Sequence, residues 1–421
     1  MKKETADKLL ILILLLVSGN HPFYELLYTV PTSVASLFWI ILVLFFYLAF
    51  NKGIKFNKYI VVYLFSGIIL LLLYEYNNYL NFNIGKIARF LFVVLFPFLV
   101  LNFISYSSFK NLPLLTIRLI QFSLVFWLPS VILSYSGIYI SDFIPKNFLF
   151  PDIGTEDVIE KLGGTHVLFY NFRNLTENIY FIFRNNGLYW EPGAFAGIIL
   201  FSYLFLILYI DLFKDKELKK IRIWFFLGVL STFSTTGLII FPFILTLDLL
   251  QRNKSDNKNL IFIVTIIIPF IIVLSYILYY AIPVLHDKID QQLDAVLMQK
   301  TGSYSTRFGS LLFLSSIIAL SPFLGEGIFT SSVKWENMIY LWGYNSEAAM
   351  GNGMFLFIAQ AGIPLFIIIS FLWYFGLRKK LNSFFAIAFL AIIFLLLQGE
   401  DWMNYPIIYS FFFLKKIHND N

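Results

Sequence analysis

Cysteine is absent from this chain, and only 13% of its 421 residues carry a charge. Without cysteine the chain cannot form a disulfide, present a thiolate nucleophile or build a cysteine-ligated metal site. Soluble domains average about 25% charged residues, because charges cover much of a surface that faces water. So little charge argues against a soluble globular domain.

Metal and nucleotide motifs are missing as well. The sequence contains no D-x-D, no H-E-x-x-H and no G-x-x-x-x-G-K-[ST] pattern. The four histidines, at positions 21, 166, 286 and 418, lack the spacing of metal ligands. We therefore predict no metal and no cofactor. The formal net charge of +6 is dispersed over short loops, which favours anchoring at a membrane over binding to nucleic acid.

Long apolar runs dominate what is present, since 59% of the residues are hydrophobic. The runs at 60–74 and 260–280 approach or exceed the roughly 20 residues that span a bilayer core. They are continuous and do not alternate, so helices are favoured over a β-barrel. We predict an all-α, polytopic integral membrane protein, one transmembrane domain with about twelve helices. They are expected at 9–19, 31–50, 59–75, 87–106, 112–136, 193–213, 222–234, 236–250, 260–284, 352–377, 382–398 and 402–415.

The basic residues predict the orientation. With the N-terminus inside, every strongly basic short loop, such as KDKELKKIR (214–222), falls on one face, which is typical of the cytoplasmic side. This predicts a bacterial inner-membrane protein with both termini cytoplasmic. Two long loops, 137–192 and 285–351, are then periplasmic and expected to be folded and functional. Inside the second, 308–320 is short for a span and is expected to lie in the interface or dip partway.

Two segments leave alternatives open. The N-terminus, MKKETADKLLILILLLVSGN, resembles a signal peptide, but no A-x-A cleavage site follows, which favours a retained first helix. The segment STFSTTG (231–237) breaks an apolar stretch, which is either two spanning helices or one re-entrant excursion. Its hydroxyl groups favour hydrogen bonding between helices over a role in chemistry.

The first candidate segment, FRNNGLYWEPG, lies where the first long loop returns to the membrane. Arg184 and Glu191 flank two aromatic residues, Tyr189 and Trp190, whose faces suit sugar rings. The alternative is a carboxylate at a helix start, a snorkelling arginine and an interfacial aromatic belt. His166, in the same loop, is either catalytic or solvated, and solvation is favoured.

Two further segments carry polar residues at predicted helix starts. Arg307 precedes an apolar helix that a G-E-G turn closes, and its planar guanidinium could bind two phosphate oxygens or anchor the helix at the interface. Asn352 and Gln360 are eight residues apart, so they share a helix face that could line a polar cavity. Glu347 is a candidate acid beside them.

Together these segments resemble the O-antigen polymerase and O-antigen ligase superfamily of bacterial envelope glycosyltransferases. The resemblance rests on four features. They are R-x-x-G-x-x-x-E-P-G (184–193), S-T-x-S-T-T-G (231–237), Arg307 followed by P-x-x-G-x-G (322–327), and G-N-G (351–353) with Gly362 in the following helix. The ligases carry a histidine beside an asparagine where that helix begins. This chain reads Ala349-Met350-Gly351-Asn352 there, which favours a polymerase.

The resemblance implies a GT-C-like membrane architecture and a lipid-linked sugar substrate on the periplasmic face. Polymerases of this kind transfer a growing glycan from undecaprenyl pyrophosphate to the next lipid-linked repeat unit of an O-antigen or capsule. The partners it implies are the undecaprenyl-pyrophosphate-linked oligosaccharide, the bilayer and a chain-length regulator protein. The alternatives are an O-antigen ligase or a lipid-linked oligosaccharide transporter without bond chemistry, and the two long loops favour the enzyme.

The resemblance also implies roles for the candidate residues. Arg184 and Arg307 would bind the pyrophosphate without a metal, because preorganised cations can stabilise a leaving anion. Glu191 would be the base for the attacking hydroxyl, with Glu347 or His166 as replacements. The expected substrate-contacting residues are Tyr189, Trp190, Tyr304, Asn352, Glu347 and His166.

Overall fold

In the computed structural model, almost all of the described chain is helical. The described residues are 2–18, 32–54, 58–77, 84–134, 136–138, 140, 166–167, 170–171, 184–189, 192–252, 280, 290, 307–327 and 352–415. Their helices are α1 Lys3–Val17, α2 Thr32–Ala49, α3 Lys58–Asn77, α4 Ile84–Phe103, α5 Asn111–Ser134, α6 Pro192–Leu208, α7 Asp215–Thr232, α8 Thr235–Arg252, α9 Arg307–Leu320, α10 Gly353–Arg378, α11 Ser383–Leu397 and α12 Pro406–Tyr409.

Shorter elements complete the described chain. Four 3-10 turns are Tyr106–Lys110, Ile210–Leu212, Trp402–Asn404 and Ser410–Phe413. One antiparallel hairpin pairs β1 (His166–Val167) with β2 (Tyr170–Asn171), with His166 opposite Asn171. The predicted helical class is confirmed for the described residues, apart from this hairpin. Among them, two helices, Tyr106–Ser134 and Gly353–Arg378, are long and apolar enough to cross a membrane.

The predicted final helix, 402–415, differs from the structure. Residues Trp402–Asn404 form a 3-10 turn, and the four-residue α12 and a second 3-10 turn follow. Pro406 explains the break, because proline lacks an amide hydrogen and disfavours helical geometry in the residue before it. Tyr405 is accordingly extended, with φ −118° and ψ 141°. The predicted helix at 260–284 lies outside the described residues, except for position 280.

The chain divides into two compact units. The first comprises residues 1–54, 96–244 and 417–421. Its centre is α6, in which all 17 residues are buried. A helix that is apolar on every side has no face for water, so it is surrounded by other helices. Thr116 of α5 bonds Ser202 of α6 at 2.7 Å between their hydroxyl oxygens, and Tyr203 stacks on Phe225 of α7 at 5.1 Å.

The second unit comprises residues 55–95 and 245–416, and α10 is its central helix. Trp373 of α10 is fully buried, and its indole nitrogen donates to the carbonyl oxygen of Ile408 at 3.0 Å. Gly376 allows the turn at 410–413 to approach, because a Cβ there would lie 2.0 Å from the carbonyl oxygen of Phe411. The C-terminal turns are therefore packed tightly against α10, although they do not form a continuous helix.

Candidate functional site

The segment Arg184–Tyr189 in the first unit is a fixed turn before α6. Asn185 is completely buried, and its amide nitrogen Nδ2 donates to the hydroxyl oxygens of Ser123 and Ser231 at 3.0 and 2.9 Å. Its Oδ1 accepts the backbone N–H of Gly187 at 3.0 Å. One side chain therefore ties the turn to both α5 and α7.

The end of α7 supplies the other anchors. Phe233 adopts a left-handed conformation, with φ 44°, and terminates the helix. The last carbonyls of a helix have no partner within it. Here the Ser231 carbonyl accepts the backbone N–H of Asn185 at 2.9 Å, and the Thr232 carbonyl accepts Nε of Arg184 at 3.2 Å. The STFSTTG segment thus separates two helices, α7 and α8, and also holds the polar turn.

Two residues of the turn are constrained by packing. Gly187 has φ 58°, and a Cβ there would lie 2.8 Å from the Phe195 ring, so the position requires glycine. Tyr189 is fully buried against the same ring, and its hydroxyl donates to the carbonyl oxygen of Leu15 at 3.2 Å. Tyr189, predicted to contact a sugar, is therefore a core residue of this unit in the structure.

Asn186 behaves differently from its neighbour. It is 1% exposed, and within the described part of the chain neither its Oδ1 nor its Nδ2 has a hydrogen-bond partner. A buried polar group left unsatisfied costs about 1–3 kcal/mol. A hydroxyl group or phosphate oxygen of a ligand could satisfy both atoms. Sequence reasoning missed Asn186, although two adjacent amides beside an arginine were a visible signal.

A second irregular region lies in the second unit, where α10 breaks. Gly362 has φ 81° and ψ 160°, so two helical pieces meet there. The freed carbonyls of Ala359 and Gln360 accept the backbone N–H groups of Glu326 and Gly327, each at 2.8 Å. Within a helix embedded in apolar surroundings, such a break is tolerated only where other groups satisfy the backbone.

Glycines allow this close approach. A Cβ at Gly325 would lie 2.4 Å from the Gln360 carbonyl oxygen, and one at Gly362 would lie 2.2 Å from that of Phe323. The glycines of the G-E-G turn therefore permit close backbone contact. Between them Glu326 is buried, and its Oε1 accepts the Ser321 hydroxyl at 2.7 Å. Sequence reasoning assigned no role to this carboxylate.

The start of α10 carries a third set of polar residues. Asn352 caps the helix, since its Oδ1 accepts the backbone N–H of Phe355 at 3.1 Å, and its Nδ2 donates to Gln398 at 2.5 Å. Nearby, Asp401 is half-buried, and burial of its carboxyl group raises the pKa to about 6, although the positive charge of Arg89 acts to lower it. A carboxyl group with a pKa near neutrality is suited to accept a proton.

The remaining predicted residues are distributed as follows. Arg307 is the first residue of α9, which confirms the helix expected at 308–320. Arg307 belongs to the second unit, whereas Arg184 belongs to the first. His166 lies in β1. The described residues do not include Trp190, Glu191, Tyr304 and Glu347, nor the side chains of Arg307 and His166. Binding of one pyrophosphate by Arg184 and Arg307 therefore stays a prediction.

The chain matches no protein-family model, no curated protein and no solved structure. The resemblance to O-antigen polymerases consequently rests on the motif residues alone. Of these motifs, R-x-x-G-x-x-x-E-P-G contains the fixed turn at 184–189, and P-x-x-G-x-G contains the segment paired with the break in α10.

Proposed function

We propose that this chain is a multi-pass glycosyltransferase of the bacterial inner membrane. It polymerises repeat units of an O-antigen, capsule or related envelope glycan that are linked to undecaprenyl pyrophosphate, on the periplasmic face. Both termini face the cytoplasm in this proposal. Support comes from the apolar helices, from the motif residues, and from the clustering of basic residues in short loops.

One observation carries the proposal: the turn at 184–189 is held rigidly, while one of its buried amides has no hydrogen-bond partner among the residues that the structure describes. The hydrogen bonds of Asn185 and the anchoring of Arg184 to Thr232 fix the backbone before any ligand arrives. Catalysis by charge stabilisation depends on such preorganised groups. Asn186 then offers a donor and an acceptor for a sugar hydroxyl or a phosphate oxygen.

The reaction places distinct demands on these groups. A hydroxyl oxygen of the acceptor sugar attacks the anomeric carbon of the donor, and the bond from that carbon to the pyrophosphate oxygen breaks. The hydroxyl proton passes to a base, and the pyrophosphate leaves with its negative charge. Arg184 and Arg307 stabilise the leaving pyrophosphate, and Glu191 accepts the proton.

Reconstitution tests this proposal. The full-length protein in liposomes should convert purified lipid-linked repeat units into longer glycans without an added metal. A deletion strain should lose polymer while single repeat units are still exported and attached to their acceptor. If lipid-linked units instead remain trapped on the cytoplasmic side of that strain, the polymerase proposal is wrong.

A transporter of lipid-linked oligosaccharides is the second candidate, and the broken helix α10 favours it. Transporters bind substrates at discontinuous helices whose freed backbone groups line a cavity. The break at Gly362 makes α10 discontinuous, and the buried carboxylate of Glu326 lies beside it, while the freed carbonyls already bond backbone amides. The liposome experiment separates the two candidates, since a transporter moves lipid-linked units across the bilayer without lengthening the glycan.

A further inference from the structure

A cavity of about 580 Å³ lies in the first unit, and none of residues 184–189 lines it. Residues near the starts of α1, α5 and α7 line it, so these three helices begin at the same end of the unit. Its walls include four cationic side chains, Lys8, Lys110, Arg118 and Lys220, and only two carboxylates. The lining therefore carries a net positive charge.

The carboxylates are already engaged. Glu4 forms an ion pair with Lys8 at 2.8 Å. Glu217 accepts the backbone N–H of Lys214 at 2.9 Å, which caps the start of α7. Among the described residues, no carboxylate lies within ion-pair distance of Lys110, Arg118 or Lys220. We name these three the basic trio. The cavity thus presents positive charge to an anion.

The wall of the cavity is held in place before any ligand binds. The Tyr106 hydroxyl donates to Asp211 at 2.7 Å, and the Phe109 ring stacks on Tyr209 at 4.3 Å. These contacts join the turn before α5 to the turn before α7, and Leu212 and Phe213 follow directly in the cavity wall. A wall fixed in this way reduces the ordering cost of binding.

The surface changes from charged to apolar within two helical turns of the basic trio. Beyond Lys220, α7 exposes Ile223 and Phe226 at 59% and 47% of their surfaces, and beyond Arg118, α5 exposes Phe122 at 40%. Trp224 lies at the boundary and lines the cavity. Positive charge next to an apolar surface, with an indole between them, is typical of sites that bind amphiphilic molecules at a membrane surface.

We propose that this cavity binds the phosphate headgroup of an anionic lipid, with the acyl chains lying along the exposed apolar surfaces of α5 and α7. The basic trio binds the phosphate oxygens, as cationic pockets between helices do for anionic headgroups. The site is separate from the proposed glycosyl transfer and does not depend on it.

Native mass spectrometry of the full-length protein in neutral detergent tests this proposal. Phosphatidylglycerol should bind, whereas phosphatidylcholine with the same acyl chains and inorganic phosphate alone should bind at least about tenfold more weakly. Replacing the basic trio with glutamine should weaken phosphatidylglycerol binding at least about tenfold. The matched control replaces Lys214, Lys216 and Lys219, which lie on or beside α7, do not line the cavity and change the charge equally.

Other outcomes would overturn the proposal. Equal loss of binding in the control would assign the effect to diffuse surface charge. Equal binding of phosphatidylcholine would indicate an apolar contact without headgroup recognition. Inorganic phosphate that binds as tightly as the lipid would assign the cavity to a soluble phosphate compound. If the triple variant does not fold, the single variants Lys220→Gln and Lys219→Gln, both at exposed positions, make the same comparison of phosphatidylglycerol binding. Equal binding by these two variants would also reject the site.

Discussion

Both units contain a helix interruption whose freed carbonyl groups are satisfied by a separate loop, but the loops satisfy them in different ways. At the end of α7, the Ser231 and Thr232 carbonyls bond a backbone amide and the Arg184 side chain. At the break in α10, the Ala359 and Gln360 carbonyls bond backbone amides only. The first interruption therefore brings polar side chains together, whereas the second is closed by backbone contacts that glycines permit.

This difference predicts where each region is sensitive to substitution. Side-chain chemistry can act at the first interruption, because Arg184 and the unsatisfied Asn186 lie in one turn. The second interruption should tolerate many side-chain changes but no added Cβ at its glycines.

The largest effect on stability is expected at the break in α10. Gly362→Ala and Gly325→Ala each place a Cβ within 2.2–2.4 Å of a backbone carbonyl oxygen at a positive φ. We expect each to lower the free energy of unfolding by about 3 kcal/mol or more, from strain and displaced backbone contacts. Thermal unfolding in detergent measures this. Gly53→Ala is the control, because nothing lies within 4 Å of its Cβ position, and an equal loss there would contradict the packing argument.

The second unit should also respond to pH through Asp401. Burial raises the pKa of this carboxyl group from 3.8 to about 6, so the folded state favours its neutral form. The stabilisation of the folded state by the protonated carboxyl group is fully present below about pH 4. It is lost as the pH rises through about 6, which lowers the free energy of unfolding by up to about 3 kcal/mol. Asp401→Asn should therefore gain stability relative to the unmodified chain across that window and keep a constant advantage above it. Parallel stability curves from pH 4 to 7 would contradict this assignment.

Asn185 should matter for stability in the first unit. Asn185→Leu removes the hydrogen bonds to Ser123, Ser231 and Gly187 while keeping the same number and branching of side-chain heavy atoms. We expect a loss of about 2 kcal/mol, because buried groups are left without partners. Chemical unfolding at constant detergent concentration provides the measurement. A change of less than about 0.5 kcal/mol would indicate that the turn is not fixed by this side chain.

Asn186 should show the smallest effect on stability, with the opposite sign. Asn186→Leu removes two unsatisfied buried polar atoms, so we expect a gain of about 1 kcal/mol without ligand. Polymer formation should fall at the same time, since the ligand loses a donor and an acceptor. Adjacent residues with the same side chain thus give opposite shifts in melting temperature. Destabilisation of both variants to the same extent would remove the case for a ligand at Asn186.

Much of the helical framework could be predicted from the sequence, because long apolar runs such as that of α10 have few alternatives. Helix α7 begins seven residues before its predicted start at 222, because its first turns are charged, as in a loop, and Glu217 caps them. The predicted last helix failed at Pro406, whose effect on Tyr405 is local and was visible in the sequence.

The candidate site was less predictable, for a different reason. Which groups satisfy the last carbonyls of α7 depends on a loop more than 40 residues away in sequence, at Arg184 and Asn185. Periodicity and composition carry no information about such a pairing. They drew attention to the aromatic Tyr189, which the fold buries, and passed over Asn186. The motif residues pointed to this segment of the chain, while the roles of its side chains depend on tertiary contacts that the sequence does not show.

The central claim, that the turn at 184–189 binds the substrate of a glycosyl transfer, is tested most directly by polymer formation in Arg184 variants. At matched membrane abundance and melting temperature, Arg184→Ala should lower the rate roughly a hundred- to thousandfold, or about 2.7–4 kcal/mol in transition-state stabilisation. Arg184→Lys should recover part of the rate, because an ammonium group supplies charge but no planar contact. Lys216→Ala, at an exposed position of α7, should leave polymer yield unchanged. Polymer yield near that of the unmodified chain in Arg184→Ala would contradict the account.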